Sequence, residues 1–193
     1  MNLLISHISH LTSQIAVYWD SNINLAGTIL LKMPVAYFKT PIGFVRITEE
    51  DGFIASIYLL DGEFEVVPPE TELLADAIEQ MNEYFRGERR SFDLPLKQRG
   101  SPFQQQVWEQ LSKIEYGKTI SYLQQSKLMG NPLGIRAIAS ANGKNHLVIV
   151  VPCHRVIGSD GSLTGFGCGI WRKKWLLEHE ARVMGQGQME LGF

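Results

Sequence analysis

A regular pattern of apolar and polar positions begins only after Met33. From Ala36 to Leu60 it predicts a meander of strands. Phe44-Val45-Arg46-Ile47 leads into the polar turn Glu49-Glu50-Asp51-Gly52, and Phe53-Ile54-Ala55-Ser56-Ile57-Tyr58-Leu59-Leu60 runs on to Asp61-Gly62. The period then lengthens. Thr71 is placed to cap a helix whose apolar positions Leu74, Ala77, Ile78, Met81, Tyr84 and Phe85 recur at helical spacing, with Gly87 beyond its end. This helix is expected to cover the small sheet. The polar, proline-ended run Arg89-Arg90-Ser91-Phe92-Asp93-Leu94-Pro95 reads as a linker.

The second half opens on Ser101-Pro102, a cap followed by proline at the first helical position, and continues through Phe103, Val107, Trp108 and Leu111. Ser121 caps a short helix ending near Gly130. Asn131-Pro132 starts another that passes Arg136, Ala137 and Ala141 to Gly143, so the pair reads as a helix-turn-helix. Its second helix carries only small residues at Gly134, Ala137, Ala139, Ser140 and Ala141, which suits either packing between helices or entry into a narrow groove. Leu147-Val148-Ile149-Val150-Val151 predicts a strand buried on both faces and stopped by Pro152. Gly158, Gly161, Gly165, Gly167 and Gly169 form a loop suited to a wing or to folding over a ligand, and Ile170–Glu180 predicts a closing helix.

Composition changes this picture at two points. With 193 residues, 45% of them hydrophobic, the chain can bury one large core or two small ones. We divide it into an extension at 1–33, a domain at 34–94, a second domain at 95–184 and a tail at 185–193. The net charge of −2 is unevenly spread: residues 1–98 hold 7 Lys/Arg against 14 Asp/Glu, whereas residues 99–184 hold 11 against 5. A basic second half is the electrostatic footprint of a nucleic-acid binder, although basic surfaces also occur without one. No apolar run is long enough for a membrane span, and no Lys or Arg precedes Lys32, so a basic secretory start is not expected. The two cysteines, Cys153 and Cys168, argue against a disulfide framework and for a reducing compartment, the cytoplasm.

The chemistry concentrates at Pro152-Cys153-His154-Arg155-Val156. A thiol beside an imidazole, held at the end of a rigid element and next to a loop, is a candidate nucleophile with its base. The closing helix brings Glu180 to a place where its carboxylate can orient His154.

These residues, with Ile120-Ser121-Tyr122, Arg136, Asn145, Gly165-Phe166-Gly167, Lys173, Trp175-Leu176-Leu177 and His179-Glu180 in order, resemble the O6-alkylguanine-DNA alkyltransferase family over about residues 35–182. The resemblance implies an α+β fold: a small N-terminal ribonuclease-H-like α/β domain and a C-terminal winged helix-turn-helix domain that carries the site. It implies direct, irreversible, single-turnover transfer of an alkyl group from guanine O6, with thymine O4 as a second candidate, to Cys153, the protein being consumed. His154 takes the thiol proton through a water, Glu180 holds the imidazole tautomer, and Asn145 ties the helix-turn-helix to the active-site segment. Because a base inside duplex DNA cannot reach a buried thiol, the nucleotide must flip out. Arg136 then fills the gap from a helix docked in the minor groove, where Gly134 and Ala137 allow close approach. Tyr122 turns the phosphate and donates to guanine N3, the carbonyls of Cys153 and Val156 read the exocyclic amine, Phe166 stacks on the base, and the Gly167 N–H approaches O6. Ser159 and Asn131 contact phosphates. The implied partner is double-stranded DNA containing O6-alkylguanine, met by a monomer without cofactor or metal.

Several positions depart from the family pattern. Phe166 stands where many members have tyrosine, Gly167 where some have serine, and His146 where proline is common. Cys168 stands where glycine or tryptophan is frequent, and it reads as a small residue that fits a close-packed loop rather than as a second thiol near the pocket. Other readings are separable in principle. A non-repairing alkyltransferase-like protein lacks the cysteine, and a methylation-responsive transcription factor with a zinc site needs more cysteines than two. A cysteine hydrolase would turn over repeatedly, and a plain winged-helix module would bind DNA equally well without Cys153.

Overall fold

The computed structural model describes residues 33–185, so the expected extension and tail lie outside the described residues except for Met33 and Gly185. The described residues from Pro34 to Gly185 fall in one compact unit. Strands β1 (Val35–Thr40), β2 (Gly43–Glu50) and β3 (Phe53–Leu60) form an antiparallel sheet in that order. The Asp51-Gly52 turn carries positive φ at both residues (53° and 76°), the left-handed conformation whose twist suits a two-residue hairpin. Helix α1 (Glu72–Arg86) is capped by Thr71, whose Oγ1 accepts from the Leu74 N–H at 3.1 Å, and ends on left-handed Gly87. It buries Leu74, Ala77, Met81 and Tyr84 and packs on all three strands.

The segment read as a linker is a strap. Gln80 exchanges two 2.9 Å hydrogen bonds with the backbone of Asp93, and the Ile54 N–H donates to the Pro95 carbonyl at 2.8 Å. Its polar composition hid the fact that β3 has a free edge whose backbone groups need partners.

Helix α2 (Pro102–Ser112) begins with the expected capping box, Ser101 with Gln104. A short strand β4 (Ile120–Ser121) precedes α3 (Tyr122–Leu128), and α4 (Ile135–Gly143) completes the helix-turn-helix. Helix α4 starts later than Asn131-Pro132 predicts: residues 131–134 form a turn closed by the Gly134 N–H on the Asn131 carbonyl at 2.9 Å. Between α3 and α4 a buried amide pair, Gln125 with Asn142, exchanges hydrogen bonds of 3.2 and 2.8 Å. The small residues of α4 divide by face: Ala141 joins the core with Ile138, whereas Ala137 and Ser140 are exposed.

The strand expected at 147–151 is a turn. The Val151 N–H donates to the Leu147 carbonyl at 2.8 Å, and Ile149 adopts φ 75°, rare for a β-branched residue. The run is apolar because the core surrounds it, and an apolar run alone does not distinguish a strand from a buried turn. A single helical turn (Cys153–Arg155) follows, and β5 (Val156–Ile157) pairs in parallel with β4. The glycine loop at 158–169 has no strand pairing of its own and leads into α5 (Ile170–Val183).

Candidate active site

Pro152 ends the turn that carries Cys153, and Asn145 holds that turn closed. The Asn145 side chain accepts from the Leu147 N–H at 3.0 Å and from Gln98 at 3.1 Å, and its Nδ2 donates to the Val151 carbonyl at 2.7 Å and toward Cys153 Sγ at 3.3 Å. Cys153 lies on the wall of a cavity of about 240 Å³, at the small end of ligand pockets. Asn145, Phe166 and Gly167 line the same cavity, as do Cys168 and, from β3, Tyr58 and Leu59. The glycine loop thus folds over a cavity. Burial pushes the Cys153 thiol up to about 11, against the pull of the Asn145 hydrogen bond and the Lys173 charge.

Behind this wall sits a buried ionic cluster. His154 Nε2 lies 2.8 Å from Glu180 Oε1, and both residues are wholly buried. Although burial opposes a charged carboxylate, His154 and Arg155 hold Glu180 well below its ordinary range. An ionised carboxylate only accepts, so Nε2 carries the hydrogen and Nδ1 keeps a free lone pair. That Nδ1 is buried without a hydrogen-bond partner among the described residues. Burial lowers His154 despite the attraction of Glu180, so the imidazole is neutral near pH 7. A neutral imidazole with an unengaged acceptor, one residue from a thiol, is equipped to take a proton.

Three further groups complete the cluster. Arg155 donates to both Glu180 oxygens at 3.0 Å and to the Ile114 carbonyl at 2.6 Å, the Gly117 N–H reaches Oε2 at 2.9 Å, and the Tyr84 hydroxyl reaches Oε1 at 2.8 Å. Lys173, fully buried, donates to the carbonyls of Val156 and Thr164 at 2.6 Å each, and burial lowers it to about 8. Sequence reasoning gave none of Tyr84, Arg155 or Lys173 a role. The available signals were a hydroxyl within an apolar helical stripe and two cations beside the Cys153 and Glu180 segments.

The structure separates the remaining expected site residues. Tyr122 lies against the loop, its hydroxyl donating to the carbonyls of Thr164 (3.2 Å) and Gly165 (3.3 Å). Burial raises Tyr122, which keeps it a donor. The Cys153 carbonyl accepts from the Val156 N–H and the Val156 carbonyl from Lys173, which leaves each one lone pair. Arg136 and Ala137 project from α4 into solvent, Arg136 without a hydrogen bond or ion pair among the described residues. Asn131 and Ser159 are exposed. A Cβ at Gly134 would meet the end of the exposed Asn131 side chain, which would have to turn away. His146 bonds Tyr58, which lines the cavity, and meets Trp108 edge-on.

Comparison with known proteins agrees with this geometry over most of the chain. Two family models match in tandem: 6-O-methylguanine DNA methyltransferase, ribonuclease-like domain, over residues 33–98, and the DNA binding domain of the same protein over 102–182. The chain is 44% identical over 136 residues to the constitutive methylated-DNA--protein-cysteine methyltransferase of Bacillus subtilis, covering 66% of this chain and 82% of that protein. It is 42% identical over 149 residues to the methylated-DNA--protein-cysteine methyltransferase of Mycolicibacterium paratuberculosis, covering 74% and 89%. Among solved structures, Mycobacterium tuberculosis OGT in complex with DNA superposes with a TM-score of 0.71 at 39% identity, over 77% of this chain and 93% of that one. With both halves matched in order, this chain belongs to the 6-O-methylguanine DNA methyltransferase family.

Proposed function

We propose that this protein repairs DNA by direct reversal, moving the alkyl group of O6-alkylguanine onto Cys153 in a single irreversible turnover. One observation carries the reading: the Cys153 thiol sits on the wall of a small cavity with the buried His154–Glu180 pair behind it.

The steps follow from the chain's own groups. The lesion enters the cavity after flipping out of the duplex, at a cost of a few kcal/mol. Arg136 on the exposed face of α4 occupies the vacated stack, Gly134 and Ala137 let that helix approach the minor groove, and Asn131 and Ser159 lie where phosphates pass. His154 Nδ1 takes the thiol proton through a bridging water, and Glu180 stabilises the imidazolium that forms. The thiolate attacks the alkyl carbon, the S–C bond forms, and the C–O6 bond breaks with its electron pair passing to guanine. Tyr122 offsets the developing charge by donating to N3, the Gly167 N–H faces O6, and Phe166 stacks on the base. The proton lost by the thiol returns to the guanine, leaving an S-alkyl cysteine and a repaired base. The C–S bond of the thioether is stable and no second nucleophile takes the alkyl group from it, so the protein acts once.

The basic second half and the α4 surface fit double-stranded DNA as partner. No helix among the described residues is long and apolar enough to cross a membrane, and a thiol that must stay free suits the reducing cytoplasm.

Intact-protein mass after incubation with a duplex carrying one O6-methylguanine tests the reading, with Cys153→Ala alongside. We expect one methyl on the wild type, none on the variant, and stoichiometric loss of the lesion. An intact lesion and an unchanged mass would overturn the repair assignment, and repeated turnover on an ester or amide would favour a hydrolase.

A further inference from the structure

The carboxylate that holds His154 is shared with a hydroxyl from the other half of the chain. Tyr84 lies on the sheet-facing stripe of α1, and its Oη donates to Glu180 Oε1 at 2.8 Å, the same atom and distance at which His154 Nε2 donates. Both side chains are wholly buried. Tyr84 is also fixed in place: its carbonyl accepts from His179 Nε2 at 2.8 Å, and its ring packs against Phe92, Tyr116 and His179 at centroid distances of 5.4–5.9 Å. A phenylalanine would fill that stripe without needing a buried acceptor, so packing alone does not account for the hydroxyl.

We propose that Tyr84 is a positioning residue for alkyl transfer, through which the ribonuclease-like domain sets how tightly Glu180 grips the His154 imidazole. The proposal rests on His154 being the base for Cys153. Glu180 Oε1 receives Tyr84, His154 and Arg155, while Oε2 receives Arg155 and the Gly117 N–H. Each donor draws on the same negative charge, and a carboxylate satisfied by others attracts the imidazolium less. Around this pair, burial disfavours the imidazolium most, Arg155 from the helical turn and Lys173 from α5 add to it, and Tyr116 lies with its ring 5.5 Å from the Arg155 guanidinium. The result is a neutral imidazole, the form a base requires. Removing the Tyr84 hydroxyl returns charge to Oε1, strengthens its hold on the Nε2–H and favours protonation. The acid limb of the reaction then moves to higher pH.

The test is single-turnover transfer from an O6-methylguanine duplex against pH, for wild type, Tyr84→Phe and Tyr116→Phe. Tyr116 is a matched control: its ring meets Tyr84 edge-on, but its hydroxyl is buried without a partner among the described residues. Tyr84→Phe is expected to raise the acid limb by about half to one pH unit, a loss of roughly 3- to 10-fold on the acid side. Tyr116→Phe is expected to superimpose on wild type. Nitrogen NMR of the His154 imidazole reads the same shift without turnover. A Tyr84→Phe limb and His154 titration that both coincide with wild type would overturn the proposal, as would an equal shift in Tyr116→Phe. Wild type failing to transfer at all would instead sink the functional reading beneath it.

Discussion

Glu180→Gln is the most demanding single test of the buried cluster, because the substitution keeps the shape and removes the charge. Every group around Glu180 is a donor: the Tyr84 hydroxyl, the His154 Nε2–H, two guanidinium N–H groups of Arg155 and the Gly117 N–H. An amide turned either way sets its own hydrogens against at least one of them. Arg155, only 6% exposed, also loses its counter-charge. Breaking a buried pair from one side costs about 3–5 kcal/mol, which at an m-value of about 2 kcal/mol/M lowers the urea midpoint by roughly 2 M. The pH dependence has a definite sign. The fold holds the Glu180 carboxyl below its ordinary value near 4.5, so on acidification the unfolded chain takes up this proton first. The stability gap between wild type and variant is therefore full at pH 7 and narrows as pH falls below about 4.5. Urea unfolding of both proteins between pH 7 and 3 measures it. A variant within about 1 kcal/mol of wild type at pH 7, or a gap that stays constant to pH 3, would refute the account.

Two other substitutions separate surface from site. Arg136→Ala removes an exposed side chain without intramolecular partners, so stability should change by less than about 0.5 kcal/mol while DNA affinity falls and the salt slope of binding drops by about one. Equal DNA binding in a titration across salt concentrations would remove Arg136 from the interface. At Gly165 φ is 63° and an added Cβ would lie 2.7 Å from the Tyr122 hydroxyl, so Gly165→Ala should cost about 1–2 kcal/mol in backbone strain and slow transfer by displacing Tyr122. Unfolding and single-turnover assays that both match wild type would contradict this.

Local chemistry was legible wherever a segment's conformation depends on its own residues. The Asp51-Gly52 turn and the caps at Thr71, Ser101 and Ser121 formed as their side chains required. The 147–151 run misled because burial on all sides erases periodicity, and the turn is closed instead by Asn145, a polar residue just outside it. The 89–95 strap was hidden because its partner, the edge of β3, lies far back in the sequence. For the site, the motif around Cys153 placed the thiol, the imidazole and Glu180. Tyr84 and the cavity wall at Tyr58 and Leu59 come from elements separated from Cys153 and Glu180 by most of the domain. No local pattern distinguishes a tyrosine that fills a core from one whose hydroxyl finds a carboxylate 96 residues away.

The protonation of Cys153 bears on why the site is built in two layers. Held up near 11, the thiol carries a thiolate fraction of about one in ten thousand at pH 7, unlike the exposed low-pKa cysteines that oxidants and stray electrophiles attack. For a protein that, on the proposed chemistry, spends its nucleophile once, protecting the thiol matters as much as activating it. The groups that favour the thiolate, the Asn145 amide and the Lys173 ammonium, are already in place. His154 stays neutral behind the wall because burial outweighs the attraction of Glu180. Burial and cluster thus divide the work: burial keeps the thiol protonated at rest, and the cluster supplies an acceptor for its proton when a lesion arrives.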